Sequence, residues 1–420
     1  MERYSEYKDS GVKWLGEIPS HWEVEPFGRH FSFRKGLPIT KANLIDSGEA
    51  VISYGQIHAK ENLGTTMSES LVRYVSRDYL KSYPQCLLTK DDFVFADTSE
   101  DIGGSGNFVY NDFPANIFAG YHTIVAKQSG LYNPSYYAYL FKSECWRNHI
   151  RSLVNGVKVY SIGRKQLKSN FLLFPSYKEQ DAIVRYLDAA TSKIDKAIAM
   201  QQKMIDLLNE RKQIIIQNAV TKGLDENVEM KDSGVEWIGM IPKHWKIIRI
   251  KHLAKLQSGS NLTSNEISDT GSYPVYGGNG LRGFYGSYNC EGSHVLIGRQ
   301  GALCGNINYA EDKFWATEHA VVCYPKKKYN TLWFGEVLRL MNLGQYSLAS
   351  AQPGLAVERI KGLYMPYPSI EEQNKIALFL KQNIGKIDLY ARHCQRQIAL
   401  LQERKQIIIN EVVTGKVKVS

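Results

Sequence analysis

The chain has 420 residues, of which 43% are hydrophobic and 22% are charged. These proportions are ordinary for a globular protein and exclude a wholly disordered chain, while the length predicts about two to four domains. The 52 lysines and arginines exceed the 42 aspartates and glutamates, which gives a formal net charge of +10. Such a charge is compatible with a polyanionic partner but does not by itself establish one.

Two further patterns exclude classes of protein. The six cysteines include no C-x-x-C pair, which argues against a zinc ribbon or a disulfide framework and favours reduced thiols in a cytoplasm. The first residues, MERYSEYKDSG, lack the apolar stretch of an export signal, and no run of 18 apolar residues occurs. We therefore expect a cytoplasmic protein with no membrane span and no metal site.

The first element in chain order recurs later in the sequence. Residues 8–24 read KDSGVKWLGEIPSHWEV and residues 231–247 read KDSGVEWIGMIPKHWKI, with 11 of 17 positions identical. Tryptophans and prolines at matching places predict rigid apolar anchors that pack into a core: Trp14, Trp22, Trp237, Trp245, Pro19 and Pro242.

The next segment, residues 25–174, predicts short strands joined by exposed loops, because glycine, asparagine and aromatic residues interrupt short alternating runs. Two stretches within it, Val51–Lys60 and Phe93–Tyr110, are candidates for a recognition surface. The residues that we expect to make contacts there are Tyr54, Gln56 and Ser99. The alternative for each stretch is an ordinary hairpin turn.

A long helix is predicted next. Residues 175–222 open with P-S-x-x-E-Q and carry apolar residues at heptad a and d positions over about five heptads, as in a coiled coil. The same pattern recurs without a gap at residues 368–415, and the run ERKQIII appears in both. If a two-fold axis relates the two helices and crosses the pair, they run antiparallel. The alternative is two helices that cap unrelated domains.

The segment between the second opening and the second helix, roughly residues 248–367, predicts another loop-rich module. Tyr273–Gly286 and Val295–Tyr309 interleave aromatic and polar residues with glycines that permit close approach. Arginine bonds guanine and glutamine bonds adenine in a DNA major groove, whereas a hairpin turn is the alternative for each loop. The candidate contact residues are Tyr276, Asn279, Arg282, Arg299 and Gln300.

The two variable segments share few residues. We pair Tyr54-Gly55 with Tyr276-Gly277, and GYHTIV at Gly120–Val125 with TEHAVV at Thr317–Val322. The run Lys326–Lys328 either contacts phosphates or lies in a solvated loop. Repeated ends with divergent middles indicate two similar modules that act on different targets, the alternative being a pseudo-symmetric structural protein.

No catalytic motif is convincing. Asn133-Pro134-Ser135-Tyr136 resembles the N-P-P-Y element of amino-methyltransferases, but Ser135 breaks it. Glu210-Arg211-Lys212 and its copy contain the E-x-K of many nucleases without an upstream Pro-Asp. No phosphate-binding loop or H-E-x-x-H motif occurs. We expect a non-catalytic binder, with a nuclease or methyltransferase active alone, or a protein-binding scaffold, as alternatives.

The repeated openings, the P-S-x-x-E-Q helix entries and the doubled E-R-K-Q-I-I-I together resemble the specificity (S) subunit of Type I restriction–modification enzymes. The resemblance covers nearly the whole chain. It implies two target-recognition domains joined by antiparallel helices, with each domain binding one half of a bipartite, asymmetric double-stranded DNA site. It also implies docking of two modification subunits, which use S-adenosylmethionine, and of two restriction subunits, which use ATP and Mg²⁺. The chain itself then binds no cofactor and has no catalytic residue.

The predicted fold class is α/β, with two α/β modules on a coiled coil of two long antiparallel helices and a pseudo-two-fold internal repeat. We place the first recognition domain at residues 1–176 and the first spacer helix at 177–222. The second recognition domain follows at 223–368, and the second helix with the C-terminal tail at 369–420. Candidates for partner docking on the helices are Arg211 and Arg404, for which a solvated helix face is the alternative.

Overall fold

The structure is a computed structural model that describes residues 2–113, 116–156, 158–301, 303–347 and 354–419. The chain divides into two compact units. The first unit combines Met1–Met200 with Gln397–Ser420, and the second unit is Gln201–Arg396. Each unit contains one α/β module and a part of both long helices.

The first module is built from short strands and helices. Its strands are β1 (Tyr7–Asp9), β2 (Glu17–Pro19), β3 (Glu23–Pro26), β4 (Phe31–Lys35), β5 (Glu49–Ile52), β6 (Arg73–Val75), β7 (Leu87–Leu88), β8 (Phe93–Ala96), β9 (Thr98–Ser99), β10 (Phe108–Tyr110), β11 (Ile117–Ala119), β12 (Thr123–Gln128), β13 (Tyr160–Ser161) and β14 (Phe171–Phe174). Its helices are α1 (Phe27–His30), α2 (Tyr54–Ile57), α3 (Tyr79–Ser82), α4 (Pro134–Lys142), α5 (Glu144–Leu153) and α6 (Arg164–Lys168), followed by the long α7 (Tyr177–Lys222).

Two four-stranded sheets organise this module. One sheet has the order β10-β8-β12-β4 and is antiparallel, and the other has the order β6-β5-β11-β7, in which β5 and β11 are parallel. The side chains of β8 alternate between the two faces of the sheet, and all four are buried. Phe93 and Phe95 join the aromatic core that includes Phe141 of α4, whereas Val94 and Ala96 join the apolar cluster on the opposite face.

The second module repeats this plan. Its strands are β15 (Met230–Asp232), β16 (Met240–Pro242), β17 (Lys246–Arg249), β18 (Ala254–Ser258), β19 (Tyr273–Gly277), β20 (Gly280–Tyr285), β21 (Cys290–Glu291), β22 (His294–Gly298), β23 (Ile307–Ala310), β24 (Lys313–Ala316), β25 (Ala320–Pro325) and β26 (Tyr364–Tyr367). Its helices are α8 (Ile250–Leu253), α9 (Thr331–Leu340) and α10 (Val357–Lys361), followed by the long α11 (Ile370–Val413). The sheets have the orders β18-β25-β22-β23 and β20-β19-β24-β21, with β19 and β24 parallel. The equivalent strands β4-β12-β8-β10 in the first module are in the same order.

The two long helices have 46 and 44 residues, hence a length of roughly 65–70 Å at 1.5 Å per residue. In the first unit the beginning of α7 is buried with the end of α11, and in the second unit the end of α7 is buried with the beginning of α11. Opposite ends of the helices therefore share each unit, as antiparallel helices require. The apolar residues of α7 and α11 that join these cores include Ile183, Leu187, Ile194, Ile408, Ile409 and Val412 in the first unit, and Ile216, Ala219, Val220, Ile376, Ala377 and Leu380 in the second.

The repeated H-W and P-S-x-x-E-Q motifs contact each other within each unit. Glu179 closes a capping box with Ser176, whose hydroxyl donates to Glu179 Oε2 at 2.8 Å. The other carboxylate oxygen, Oε1, accepts from Trp22 Nε1 at 3.1 Å and lies 2.8 Å from His21 Nε2. Gln180 donates to the Pro175 carbonyl at 2.9 Å. The motif therefore fixes the first module to the start of its helix.

The second copy makes the same contacts. Glu372 accepts from Trp245 Nε1 at 2.9 Å and lies 2.7 Å from His244 Nε2, while its other oxygen caps the helix through Ser369. Partial burial opposes ionisation, but the hydrogen bonds from Trp245, His244 and Ser369 outweigh it and lower the pKa of Glu372 to about 2. The expected packing role of both tryptophans is confirmed, since Trp22 and Trp245 are fully buried.

A second pair of repeated motifs joins the two helices. Lys405 of the second E-R-K donates to Asp195 of the first K-I-D at 2.6 and 2.7 Å. In the other unit Lys212 donates to Asp388 at 2.8 and 3.1 Å. Lys212 interrupts the apolar heptad pattern, and this ion pair satisfies its charge. The E-x-K motif is thus an interhelical ion-pair element.

Candidate nucleic-acid interface

In the second module, the β19–β20 hairpin and the loop after β22 meet. The hairpin turns through Gly278 and Asn279, between the paired residues Gly277 and Gly280. A Cβ atom built on Gly298 would lie 2.1 Å from the Gly278 carbonyl oxygen, so the two backbones are in close contact. This contact brings Asn279 beside the loop that carries Arg299 and Gln300, three of the residues predicted from sequence.

Arg299 is held by backbone bonds on both sides. Its amide donates to the His319 carbonyl at 2.8 Å, and its own carbonyl accepts from the Leu355 amide at 2.8 Å. The guanidinium Nη1 donates to Ser258 Oγ at 3.3 Å. Arg299 is half-buried and the adjacent Gln300 is exposed. An anchored guanidinium beside an exposed amide suits the recognition of base edges.

Several buried polar atoms beside this loop have no hydrogen-bond partner among the residues that the structure describes. They are Asn308 Nδ2, Thr317 Oγ1 and His319 Nδ1. Asn308 lies against the hairpin, because a Cβ on Gly280 would be 2.9 Å from its Oδ1. Unpaired buried donors and acceptors are costly, which distinguishes these three atoms from the paired polar groups around them.

The remaining two predicted residues of this module differ in exposure. Tyr276 is half-buried, with its ring edge-to-face on Phe314 at 5.7 Å, and burial raises the pKa of its hydroxyl. Arg282 is exposed and donates from Nη2 to Ser264 Oγ at 3.4 Å. Tyr276 thus supports the hairpin, while Arg282 points a cation away from the core.

In the first module, Tyr54 and Gln56 lie on the single turn α2. The Gln56 Oε1 accepts from the Ser53 amide at 3.1 Å and so caps this turn. The Tyr54 ring contacts Tyr121 and His122 edge-on, at 5.5 and 5.4 Å between ring centroids. These contacts hold Tyr54 beside the start of β12.

Ser99 is placed differently from the other candidates. It is 3% exposed, and its Oγ accepts from the Asp101 amide at 3.4 Å. A Cβ on Gly104 would lie 2.5 Å from that oxygen, so the loop is closely packed over Ser99. Direct contact with a base would require this loop to open.

Backbone bonds define which positions of the two modules correspond. The Asp97 amide donates to the His122 carbonyl at 3.1 Å, and the Asp97 carbonyl accepts from the Ile162 amide at 3.0 Å. Arg299 makes the same two backbone bonds with His319 and Leu355. The next residues correspond as well, since Thr98 pairs with Ser161 and Gln300 forms a bridge to Gly354. The sequence match of GYHTIV with TEHAVV is therefore confirmed.

The other sequence match is wrong by two residues. Gly120 donates to the Ile52 carbonyl at 2.7 Å, and Thr317 donates to the Tyr276 carbonyl at 2.9 Å. Ile52, not Tyr54, corresponds to Tyr276. The shared Tyr-Gly dipeptide suggested a false match, because Tyr276 lies within β19 whereas Tyr54 lies two residues after the end of β5.

Asp97 is a polar residue of this surface that the sequence reasoning missed. Its Oδ1 accepts from Thr98 Oγ1 at 2.7 Å and lies 3.2 Å from His122 Nδ1. The side chain is 32% exposed. The signal in the sequence was its place directly after the buried strand Phe93–Ala96, matching the place of Arg299 after His294–Gly298.

The other charged candidates lie away from these loops. Lys326–Lys328 follow β25, whereas His319 precedes it, so the run is at the opposite end of a six-residue strand that spans roughly 20 Å. Arg211 and Arg404 are exposed on the long helices, each next to the lysine of an interhelical ion pair.

The methyltransferase-like tetrapeptide forms a helix start. Asn133 Oδ1 accepts from the Ser135 amide at 3.0 Å and caps α4, and Tyr136 is buried with its hydroxyl donating to the Val413 carbonyl at 3.0 Å. Across the described ranges, no group of three or more His, Cys, Asp and Glu side chains is arranged to hold a metal ion. None of the helices in the same ranges is long and apolar enough to cross a membrane.

Comparison with known proteins gives consistent matches. Residues 19–204 and 242–398 match the family model described as the Type I restriction modification DNA specificity domain. Over 132 residues the chain is 43% identical to the EcoprrI Type I restriction enzyme specificity subunit of Escherichia coli, covering 30% of this chain and 33% of that protein. A type I restriction enzyme MjaX specificity subunit of Methanocaldococcus jannaschii is 24% identical over 98% of both chains.

A solved structure shares the fold. A chain from a study of complex assembly and conformational transition of the type I R-M system matches 95% of this chain and 99% of its own, with a TM-score of 0.68 and 13% identity. At this identity the likeness concerns the fold alone.

Proposed function

The chain belongs to the family of Type I restriction modification DNA specificity domains, and from this premise we propose that it recognises a bipartite, asymmetric DNA site. Members of the family are specificity subunits, the non-catalytic parts of type I restriction–modification complexes. In the proposed function each α/β module binds one half-site, and the helices set the number of base pairs between the halves.

One observation supports an asymmetric DNA site. Equivalent backbone positions present Asp97 and Thr98 in the first module but Arg299 and Gln300 in the second. Carboxylate, hydroxyl, guanidinium and amide groups differ in which base edges they bond. Two modules with one fold and different polar groups at the same places therefore favour different half-sites.

The proposed partners follow from the family. We propose two modification subunits, which would dock on the chain and use S-adenosylmethionine to methylate adenine, and two restriction subunits, which would use ATP and Mg²⁺. The exposed Arg211 and Arg404 are the proposed docking residues on the helices. Such a complex would act on cytoplasmic DNA. Phosphate contacts from a chain of net charge +10 would make DNA binding steeply dependent on salt.

The test is methylome sequencing of a host without endogenous adenine methylation. The host expresses this chain with the modification subunit encoded beside it, and the control expresses the modification subunit alone. The proposal predicts an asymmetric, two-part N6-methyladenine motif that is absent from the control. A motif that persists in the control moves specificity to another protein and supports a scaffold role. The absence of a motif, with both proteins soluble and associated, contradicts DNA recognition.

A further inference from the structure

One backbone position is common to both modules and carries opposite charges. Asp97 and Arg299 directly follow β8 and β22, the equivalent interior strands, and are fixed by the same two backbone hydrogen bonds. A histidine, His122 or His319, supplies the accepting carbonyl in each case. A ligand that contacts this position therefore faces a hydrogen-bond acceptor in the first module and a hydrogen-bond donor in the second.

Arg299 is suited to a guanine. The bond from Nη1 to Ser258 holds the guanidinium, and within the described ranges no carboxylate forms an ion pair with it. Its remaining N–H groups form a planar fork of donors. Among major-groove edges, guanine presents two adjacent acceptors, O6 and N7, that match this fork.

Asp97 has the opposite requirement. Among the described residues, its side-chain contacts to Thr98 and His122 both use Oδ1, so Oδ2 is the oxygen that faces no donor of the module. An ionised carboxylate only accepts hydrogen bonds. Guanine and thymine present acceptors that would repel it, and adenine places N7 beside its amino group. Cytosine presents the N4 amino donor without that neighbour.

We propose that Asp97 is the base-contacting residue of the first module and selects cytosine at the place where Arg299 selects guanine in the second. This inference rests on the proposed function. Each half-site then contains a C·G pair, recognised through its cytosine by the first module and through its guanine by the second. Thr98 and His122 are positioning residues that orient the carboxylate.

The test compares the methylated motifs of the chain and of two variants, each expressed with the modification subunit. Asparagine bonds adenine N6 and N7, and so does glutamine. Asp97→Asn should lower the preference for one cytosine of the first half-site by about tenfold or more, in favour of adenine, and leave the second half-site unchanged. Arg299→Gln should do the same at one guanine of the second half-site. The unchanged half-site is the internal control in each case.

The outcomes separate the two proposals. If the unaltered chain gives no motif, the proposed function fails. If it gives a motif that Asp97→Asn leaves intact, or alters outside the first half-site, the inference about Asp97 is overturned. For a variant that does not methylate, the purified complex with the modification subunit is tested for binding to duplexes with each base at each position. Asp97→Glu keeps the acceptor and should retain cytosine. If Asp97→Glu and Asp97→Asn both lose all binding, Asp97 is structural.

Discussion

At the scale of single residues, two glutamates explain why the same motifs occur twice. Glu179 and Glu372 each use one carboxylate oxygen to cap a long helix and the other to accept from a buried tryptophan. Burial opposes ionisation at both, and hydrogen bonds from the neighbouring histidine, serine and tryptophan outweigh it, so that each pKa is lowered. The H-W and P-S-x-x-E-Q motifs are thus far apart in sequence but form one structural unit.

This arrangement predicts a pH dependence. Because the pKa of Glu372 falls from 4.5 to about 2 on folding, its contribution to stability is complete above pH 4.5 and is lost as the pH falls toward 2. Glu372→Gln should therefore flatten the acid limb of the free energy of unfolding measured by urea titration between these values. The exposed neighbour Glu371→Gln serves as control. An acid limb of unchanged slope in Glu372→Gln would show that the carboxylate charge contributes nothing.

Sequence reasoning succeeded for the elements with local signals. The long helices carry a heptad pattern over many turns, and their entry is marked by a capping motif, so both were predictable from neighbouring residues. The contact loops were not, because strand pairing joins residues far apart in sequence. Asp97 meets His122 and Ile162 across such pairings. A shared dipeptide, Tyr54-Gly55 with Tyr276-Gly277, suggested a match that the hydrogen bonds displace by two residues.

The ion pairs between the helices predict a modest, reciprocal effect. Lys405→Ala should lower the free energy of unfolding by about 0.2–1 kcal/mol, since Asp195 is largely exposed and solvent screens the pair. Exchanging the charges, with Asp195→Lys and Lys405→Asp together, should recover part of that loss. The same single and double changes at the equivalent pair of the other unit, Lys212 and Asp388, should give matching results. A double variant no more stable than the sum of its single changes would exclude direct pairing.

The buried heptad positions predict a larger effect. Leu187 and Leu380 occupy equivalent places in α7 and α11, and both are fully buried. Truncation of either to alanine should cost about 2–5 kcal/mol, because the removed methyl groups leave a cavity. The exposed Leu389→Ala on α11 should change the unfolding free energy by less than about 0.5 kcal/mol. Urea denaturation checks all three, and comparable losses in Leu187→Ala and Leu389→Ala would contradict the packing assignment.

At the scale of the whole molecule, the chain combines a repeated framework with divergent contact loops. The motifs that join module to helix and helix to helix occur twice with little change, whereas equivalent loop positions carry different side chains. We expect changes in the loops to leave the framework contacts intact, since the glutamates, tryptophans and lysines that make those contacts lie outside the loops. Sequence preference and half-site spacing should therefore be separable by mutation.

This separation predicts the result of lengthening the helices. One heptad inserted in both, after Gln201 in α7 and after Cys394 in α11, adds about 10 Å of helix, or about three base pairs of DNA, and keeps the a and d positions in register. We expect methylome sequencing to show both half-sites unchanged and the spacer lengthened. In the control variant, the inserted heptad sequences replace the seven residues after Gln201 and the seven after Cys394, so that the helix composition changes but the length does not. This variant should keep the original spacer. A fixed spacer in the lengthened chain would show that the helices do not set the distance between half-sites.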